Sequence, residues 1–251
     1  MFLTCIQFFA LVRLSRDFTD DFSSCLLQLR ATENRLHRWG KAAGIVDERS
    51  ETFVKQLQNK YALADITVAH NACKQIAKRL SRAKEDSYDM MDMNYSAHEE
   101  LEMETVDEMQ RMEICGPEAS RASRALESVR SGYERNLRFT SRAAVRGKWT
   151  VYRKKDLTDL LAAIGEHVVT LETLFPQQER DLAAQEAASM RPDAIEALAS
   201  ITMTSDPFLA EALKAAAARH GLSWNEIVST GKVTVQSRND FKPHTGTVAA
   251  A

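Results

Sequence analysis

Glycine and proline are scarce in this 251-residue chain, at 9 and 5 residues, which excludes a loop-rich β architecture whose turns depend on both. Cysteine is sparse and scattered. Cys5, Cys25, Cys73 and Cys115 show no CxxC spacing, so buried thiols in a reduced protein are expected rather than a disulfide framework. Also missing are a GxGxxG turn, a P-loop, a GxSxG elbow, an HExxH helix and a cysteine–histidine metal box. His70 and Cys73 stand one helical turn apart, but two ligands do not close a zinc site. His37, His98, His167, His220 and His244 have no obvious partners. No catalytic or metal residue is assigned, no cofactor is expected, and an enzyme is not the reading. A full-length apolar run is missing too. The opening MFLTCIQFFALVRL (residues 1–14) falls short of the ~20 residues of a membrane span. It lacks the basic flank and small-residue cleavage site of a secretory signal. By composition it reads as a buried or dimer-forming helix.

What is present favours helices. The chain is 44% hydrophobic and 27% charged, with a net charge of -2, enough apolar content for a sizeable core. Phe18, Phe22, Cys25, Leu29, Leu36, Trp39 and Ala43 recur every three or four residues, predicting one helix with its charged residues on the opposite, solvated side. Gly40 or Gly44 would stop it. A second stripe runs through Phe53, Leu57, Tyr61, Ala64, Val68, Ile76 and Leu80. A third, the clearest, comprises Leu157, Leu160, Leu161, Ile164, Val168, Leu171, Leu174 and Phe175; Asp156 is its candidate N-cap and Pro176 its end. Pro192 and Pro207 open two shorter helices, the latter stopping at Gly221. After Gly221 the pattern changes, and Ile227 and Val228, then Val233 and Val235, predict two short strands about a Ser-Thr-Gly turn.

Two segments are biased in charge. Residues 85–120 carry 12 carboxylates against the single base Arg111 and read as a solvated, variable insertion. Met90, Met91 and Met93 there lack His or Cys at ligand spacing, so they are not assigned a metal. Residues 121–155 carry eleven bases against Glu127 and Glu134. Ala122, Leu126, Val129, Tyr133 and Leu137 keep helical spacing, placing the bases outside a packed helix. Such a face could neutralise the acidic segment or meet phosphates of lipid or nucleic acid.

Two blocks carry a family resemblance. RDFTDDFSSCLLQLRATENRLHRWGKAAGI (16–45), with Arg35, Leu36, Arg38, Trp39 and Gly40 closing it, resembles the early helix of the HeLo domain, the helical domain of fungal HET-s-type prion and heterokaryon-incompatibility proteins. KWTVYRKKDLTDLLAAIGEHVVTLETLFP (148–176) is similar to that family's Trp-x-x-Tyr element, here Trp149 and Tyr152, followed by an amphipathic helix ending at Phe175 and Pro176. Read from the residues alone, Trp39 is a core anchor, and Trp149 and Tyr152 share a helix face or brace the start of the next helix.

The resemblance implies an all-α HeLo-like bundle over 1–220, with 85–120 as a variable insertion and a flexible, strand-prone tail over 221–251. It implies a non-enzymatic module for fungal cell death or incompatibility. Its N-terminal segment, with Phe2, Leu3, Ile6, Phe8, Phe9, Leu11 and Val12 as candidates, would enter a membrane. The glycine- and alanine-rich portion that usually precedes that segment is not seen before Met1. As a helix, Met1–Leu14 would span about 21 Å, against a hydrocarbon core of about 30 Å. Arg135, Arg138, Arg142, Arg146 and Lys148 are the candidates for anionic lipid. Residues 221–241 resemble one copy of the amyloid motif of HET-s-type proteins, through Trp224, Ile227, Gly231, Val233, Val235, Asn239 and Phe241, and would receive a templating signal from a partner carrying a matching motif. Arg238 stands where that family prefers glycine. Cytoplasmic residence with recruitment to the plasma membrane on activation, and a C2 homodimer, are expected. Two alternatives stand beside this reading: an inert or inhibitory helical adaptor of the same family, and a nucleic-acid-binding helical protein using the 121–155 face.

Overall fold

The structure, a computed structural model, describes residues 1–14, 22–45, 61–94, 117–136, 149–151 and 154–233. It is an all-α bundle. In chain order the elements are α1 (Phe2–Leu11), β1 (Val12–Leu14), α2 (Phe22–Ala42), α3 (Leu63–Asn94), α4 (Pro117–Asn136), β2 (Trp149–Val151), α5 (Lys154–Glu172), α6 (Pro176–Ala188), α7 (Pro192–Ser205), α8 (Pro207–Arg219) and α9 (Trp224–Val233). The two three-residue strands pair in parallel, with Val12 opposite Trp149. Trp149 therefore belongs to a strand paired beside the end of the N-terminal helix, not to a helix face shared with Tyr152, which lies outside the described residues.

α2 is the axis of the bundle and packs against α1, α4, α5, α6 and α7. Its expected stripe is buried at Cys25, Leu29, Leu36, Trp39 and Ala43. The side expected to face water is buried as well, at Glu33, Arg35, His37 and Arg38. A helix surrounded on every side has no solvated face, so its polar groups must find partners inside. Gly44, at φ 77°, closes α2, and the Ile45 N–H reaches back to the Gly40 carbonyl at 2.8 Å, the Schellman arrangement. Gly40 is not the stop; it lies within the helix.

α5 follows the sequence closely, with Leu157, Leu160, Ile164, Val168 and Leu171 buried and packed between α2 and α3. Asp156 sits within its first turn rather than at the cap. α3 departs further. Its buried face is Ala69, Ala72, Cys73, Ile76, Ala77 and Leu80, while Ala64 and Val68 face water. Alanines form this face because α1 and α5 both pack on α3, and small side chains allow close approach. The same helix continues ten residues into the acidic segment, to Asn94; with no Gly or Pro before that point, propagation adds a hydrogen bond per residue at little cost. Phe53, Leu57 and residues 95–116 lie outside the described residues.

Pro176, Pro192 and Pro207 each open a helix at the first turn, where the missing N–H is not needed. α6 goes beyond the sequence expectation, which takes Pro176 only as an ending. Asp206 caps α8, its Oδ1 accepting from the Leu209 N–H at 3.1 Å, and Gly221 follows α8 at φ 71°. The strand expectation for Ile227 to Val233 is corrected: this stretch is α9. Trp224, Ile227 and Val228 stand at i, i+3 and i+4, and Ile227 is buried where α9 packs on α7. An apolar face offered by α7 outweighs the strand preference of β-branched residues.

Candidate functional site

α1 packs into a seat formed by α2 and α3. Phe2, Cys5, Ile6, Phe9 and Val12 recur at three- and four-residue steps and are all buried; Leu3, Phe8 and Leu11 are partly buried against the same core. The Phe2 ring lies directly on the backbone of α2 at Gly40. A Cβ added there would stand 2.2 Å from Phe2 Cζ, so only glycine admits the ring. Trp39 flanks Phe2 with ring centroids 5.7 Å apart, and Phe175 and Tyr61 extend the aromatic cluster. On the other flank the Cys5 thiol donates to the Cys73 carbonyl at 3.1 Å. Burying the four large apolar side chains contributes roughly 6–12 kcal/mol of gross transfer energy. No charged side chain occurs between Met1 and Val12. Side-chain ion pairs therefore play no part in seating α1.

Behind this seat, α2 turns a different chemistry towards α5–α8. Arg38, 0% exposed, donates Nε and Nη2 to Glu186 at 2.9 Å each, and Nη1 and Nη2 to Asp206 at 2.9 and 2.7 Å. Arg35 holds Glu172 through Nε and Nη2 at 2.9 and 2.6 Å, and its Nη1 donates to the Ser205 carbonyl. Two forked guanidiniums thus tie α2 to α5, α6, the end of α7 and the cap of α8. Tyr133 of α4 also donates its hydroxyl to Glu186, and the Asn34 amide donates to the Leu126 carbonyl. Burial works against the Arg38 charge, but Asp206 and Glu186 outweigh it and hold the group well above its usual range. Tyr133 is pushed up, by burial first and by the Glu186 carboxylate next.

Among the described residues, the buried polar groups of Glu179, His37 and the Trp39 indole lack hydrogen-bond partners. Glu179 is 0% exposed and neither carboxyl oxygen is bonded. Burial, with the carboxylates of Glu172, Asp206 and Glu186, raises it to about 8 against the opposing pull of Arg38. It is therefore a neutral acid at pH 7. The His37 nitrogens are likewise unbonded, and its ring stacks on Tyr133 at 5.9 Å. Burial, then the nearby Arg130 charge, lowers it to about 3, so it is neutral.

The structure brings together some of the sequence-selected residues and not others. The membrane candidates Phe2, Ile6, Phe9 and Val12 are core residues here, seated on α2 and α3. His70 is exposed while Cys73 is buried, so the pair does not converge. Arg135 lies on α4, whereas Arg138, Arg142, Arg146 and Lys148 lie outside the described residues. Trp224, Ile227, Gly231 and Val233 lie on α9; Val235, Asn239 and Phe241 lie outside. Sequence reasoning missed Glu172, Glu179, Glu186 and Asp206. The available signal was a carboxylate at an otherwise apolar helical position, as at Glu172 directly after Leu171. Among the described residues, no helix is long and apolar enough to cross a membrane, and no group of His, Cys, Asp and Glu is placed to hold a metal ion.

The family model described as HeLo, prion-inhibition and propagation, matches residues 1–202. Among solved structures, the HET-s N-terminal domain is similar at a TM-score of 0.69 and 21% identity, covering 88% of this chain and 96% of that one. A double-mutant form of the same domain matches with the same score and identity over 86% of this chain and 96% of that one. No curated protein matches.

Proposed function

Because the chain belongs to the HeLo family, we propose that it is a non-enzymatic module of fungal cell death or incompatibility, acting on membranes through its N-terminal segment. At rest that segment is seated as α1; a signal received at 221–241 by amyloid templating unseats it, and the basic residues of 121–155 meet anionic headgroups. The protein resides in the cytoplasm until activated, as a homodimer, and is then recruited to the plasma membrane. The observation that carries this reading is the difference in fastening around α2. α1 is seated by apolar contacts and the Cys5 thiol, whereas Arg35 and Arg38 tie α2 to α5, α6 and the α7–α8 junction by ion pairs and a hydrogen bond. Withdrawal of α1 would leave those ion pairs unbroken.

The second reading is an inert or inhibitory adaptor of the same family. The experiment is dye release from anionic liposomes by the full chain, before and after fibril seeds of the 221–251 peptide. Release only after seeding supports the gated module. No release, with helical circular dichroism intact, removes it in favour of the adaptor.

A further inference from the structure

α4 and the corner between α6 and α7 enclose a trench that α1 does not touch. One part, about 550 Å³, is lined by Lys41, Tyr133, Gln185 and Glu186. The other, about 230 Å³, is lined by Arg121, Arg124, Arg191 and Asp193. Ser128, Val129 and Ser189 border both, so the two are continuous. The charges do not cancel. Asp193 pairs with Arg191 at 3.1 Å, while Glu186 and Asp206 share the one positive charge of the buried Arg38 and leave a single negative charge behind the trench wall. Against it stand Lys41, Arg121 and Arg124, none of which has a carboxylate partner among the described residues. The Nε groups of Arg121 and Arg124 donate only to backbone carbonyls one turn back, at 3.2 and 3.3 Å. Their terminal nitrogens keep their donor capacity, and Lys41 stands 5.4 Å over the Tyr133 ring.

The two ends differ in chemistry. The arginine end offers planar donor forks, which suit phosphate oxygens. At the N-terminus of α7, Pro192 has no N–H and the Ala194 and Ile195 N–H groups donate to the Arg191 carbonyl at 3.0 and 3.1 Å, so the Asp193 N–H is the one first-turn backbone donor left there. The other end offers the Gln185 amide, with the Ser128 and Ser189 hydroxyls at the junction, the latter already donating to the Glu186 carbonyl at 2.7 Å. Glu186, more than nine-tenths buried, contributes an Oε2 that accepts one hydrogen bond, from Arg38 Nη2, and so keeps an acceptor position for a hydroxyl.

We propose that this trench binds a phosphorylated polyol, its phosphate held by Arg121 and Arg124 and its hydroxyls directed to Gln185 and Glu186. The same headgroup occurs free in solution and on membrane lipids. The site exists whether or not α1 leaves its seat, so it does not rest on the gating mechanism. Calorimetric titration of the full chain with inositol trisphosphate, and separately with phosphatidylcholine vesicles doped with phosphatidylinositol phosphate, tests it without any permeabilisation readout. Two variants accompany the titration: Arg121→Ala with Arg124→Ala, and Ser128→Trp, which fills the trench from its rim. Binding to the free trisphosphate, weakened roughly tenfold or more by either variant, supports a soluble ligand. Binding only to doped vesicles, with the same loss, supports the lipid headgroup. Binding to neither, or binding that both variants leave unchanged, overturns the proposal.

Discussion

Replacing Glu179 by glutamine changes one buried atom type and should make the protein more stable than the parent as the pH rises. The carboxyl has an ordinary value of 4.5 and is raised to about 8 in the fold. Between those values the folded chain holds a proton that the unfolded chain has released, so stability falls with increasing pH across that window. The slope for one proton is about 1.4 kcal/mol per pH unit. At pH 5 the penalty is under ~1 kcal/mol, at pH 7 about 3 kcal/mol, and above pH 8 it levels near about 5 kcal/mol. Glutamine has nearly the same shape, is neutral throughout and escapes the linkage. Urea unfolding of both proteins at pH 5, 6, 7 and 8 should therefore give midpoints that nearly coincide in acid and separate steadily towards alkali. Two parallel curves would refute the argument, because they would mean that Glu179 titrates alike in the folded and unfolded chains.

His37 acts in the opposite direction. It is lowered from 6.5 to about 3, so its contribution is present above pH 6.5 and lost as the pH falls below it, by about 2 kcal/mol at pH 5; His37→Phe, which keeps the stack on Tyr133, should flatten the acid limb of the urea profile. Gly40→Val forces the Phe2 ring off its seat and should cost roughly 1–3 kcal/mol, with faster amide exchange concentrated in residues 2–11. Arg38→Ala strands Glu186 and Asp206 in the core and should lower stability by about 3–5 kcal/mol, read from urea midpoints at constant pH. Ile227→Ala should remove about 2–5 kcal/mol of packing from the α9 contact, and protection of the amides of 224–233 should drop relative to those of α7.

Elements whose neighbours in sequence dictate their burial were legible. The stripe of α5 and the proline starts of α7 and α8 depend on local spacing alone. The family resemblance marks Arg35, Leu36, Arg38, Trp39 and Gly40, and the fold gives each a physical reason. Arg35 and Arg38 hold carboxylates, Leu36 fills the core, and Trp39 and Gly40 receive Phe2. The partners of those arginines were not legible. Glu172 lies 137 residues from Arg35, and Asp206 lies 168 from Arg38, so no window of sequence contains both sides of either pair. Charges on a helix look solvated until the surrounding helices are known. α9 is misread for a local reason: Ile227 and Val228 favour strands, while Trp224, one helical turn earlier, supplies the spacing that α7 selects.

The two kinds of fastening around α2 respond differently to the surrounding medium. Contact between apolar surfaces draws its strength from water and loses that drive against hydrocarbon. The ion pairs of Arg35 and Arg38 are buried among the helices and do not meet the medium. Near a bilayer surface the hold on α1 therefore slackens while the grip of Arg35 and Arg38 is unchanged. A mild detergent should reproduce this division, loosening the first twelve residues while the remaining helices stay folded, and high salt should leave it unchanged because Arg38 is shielded from bulk ions.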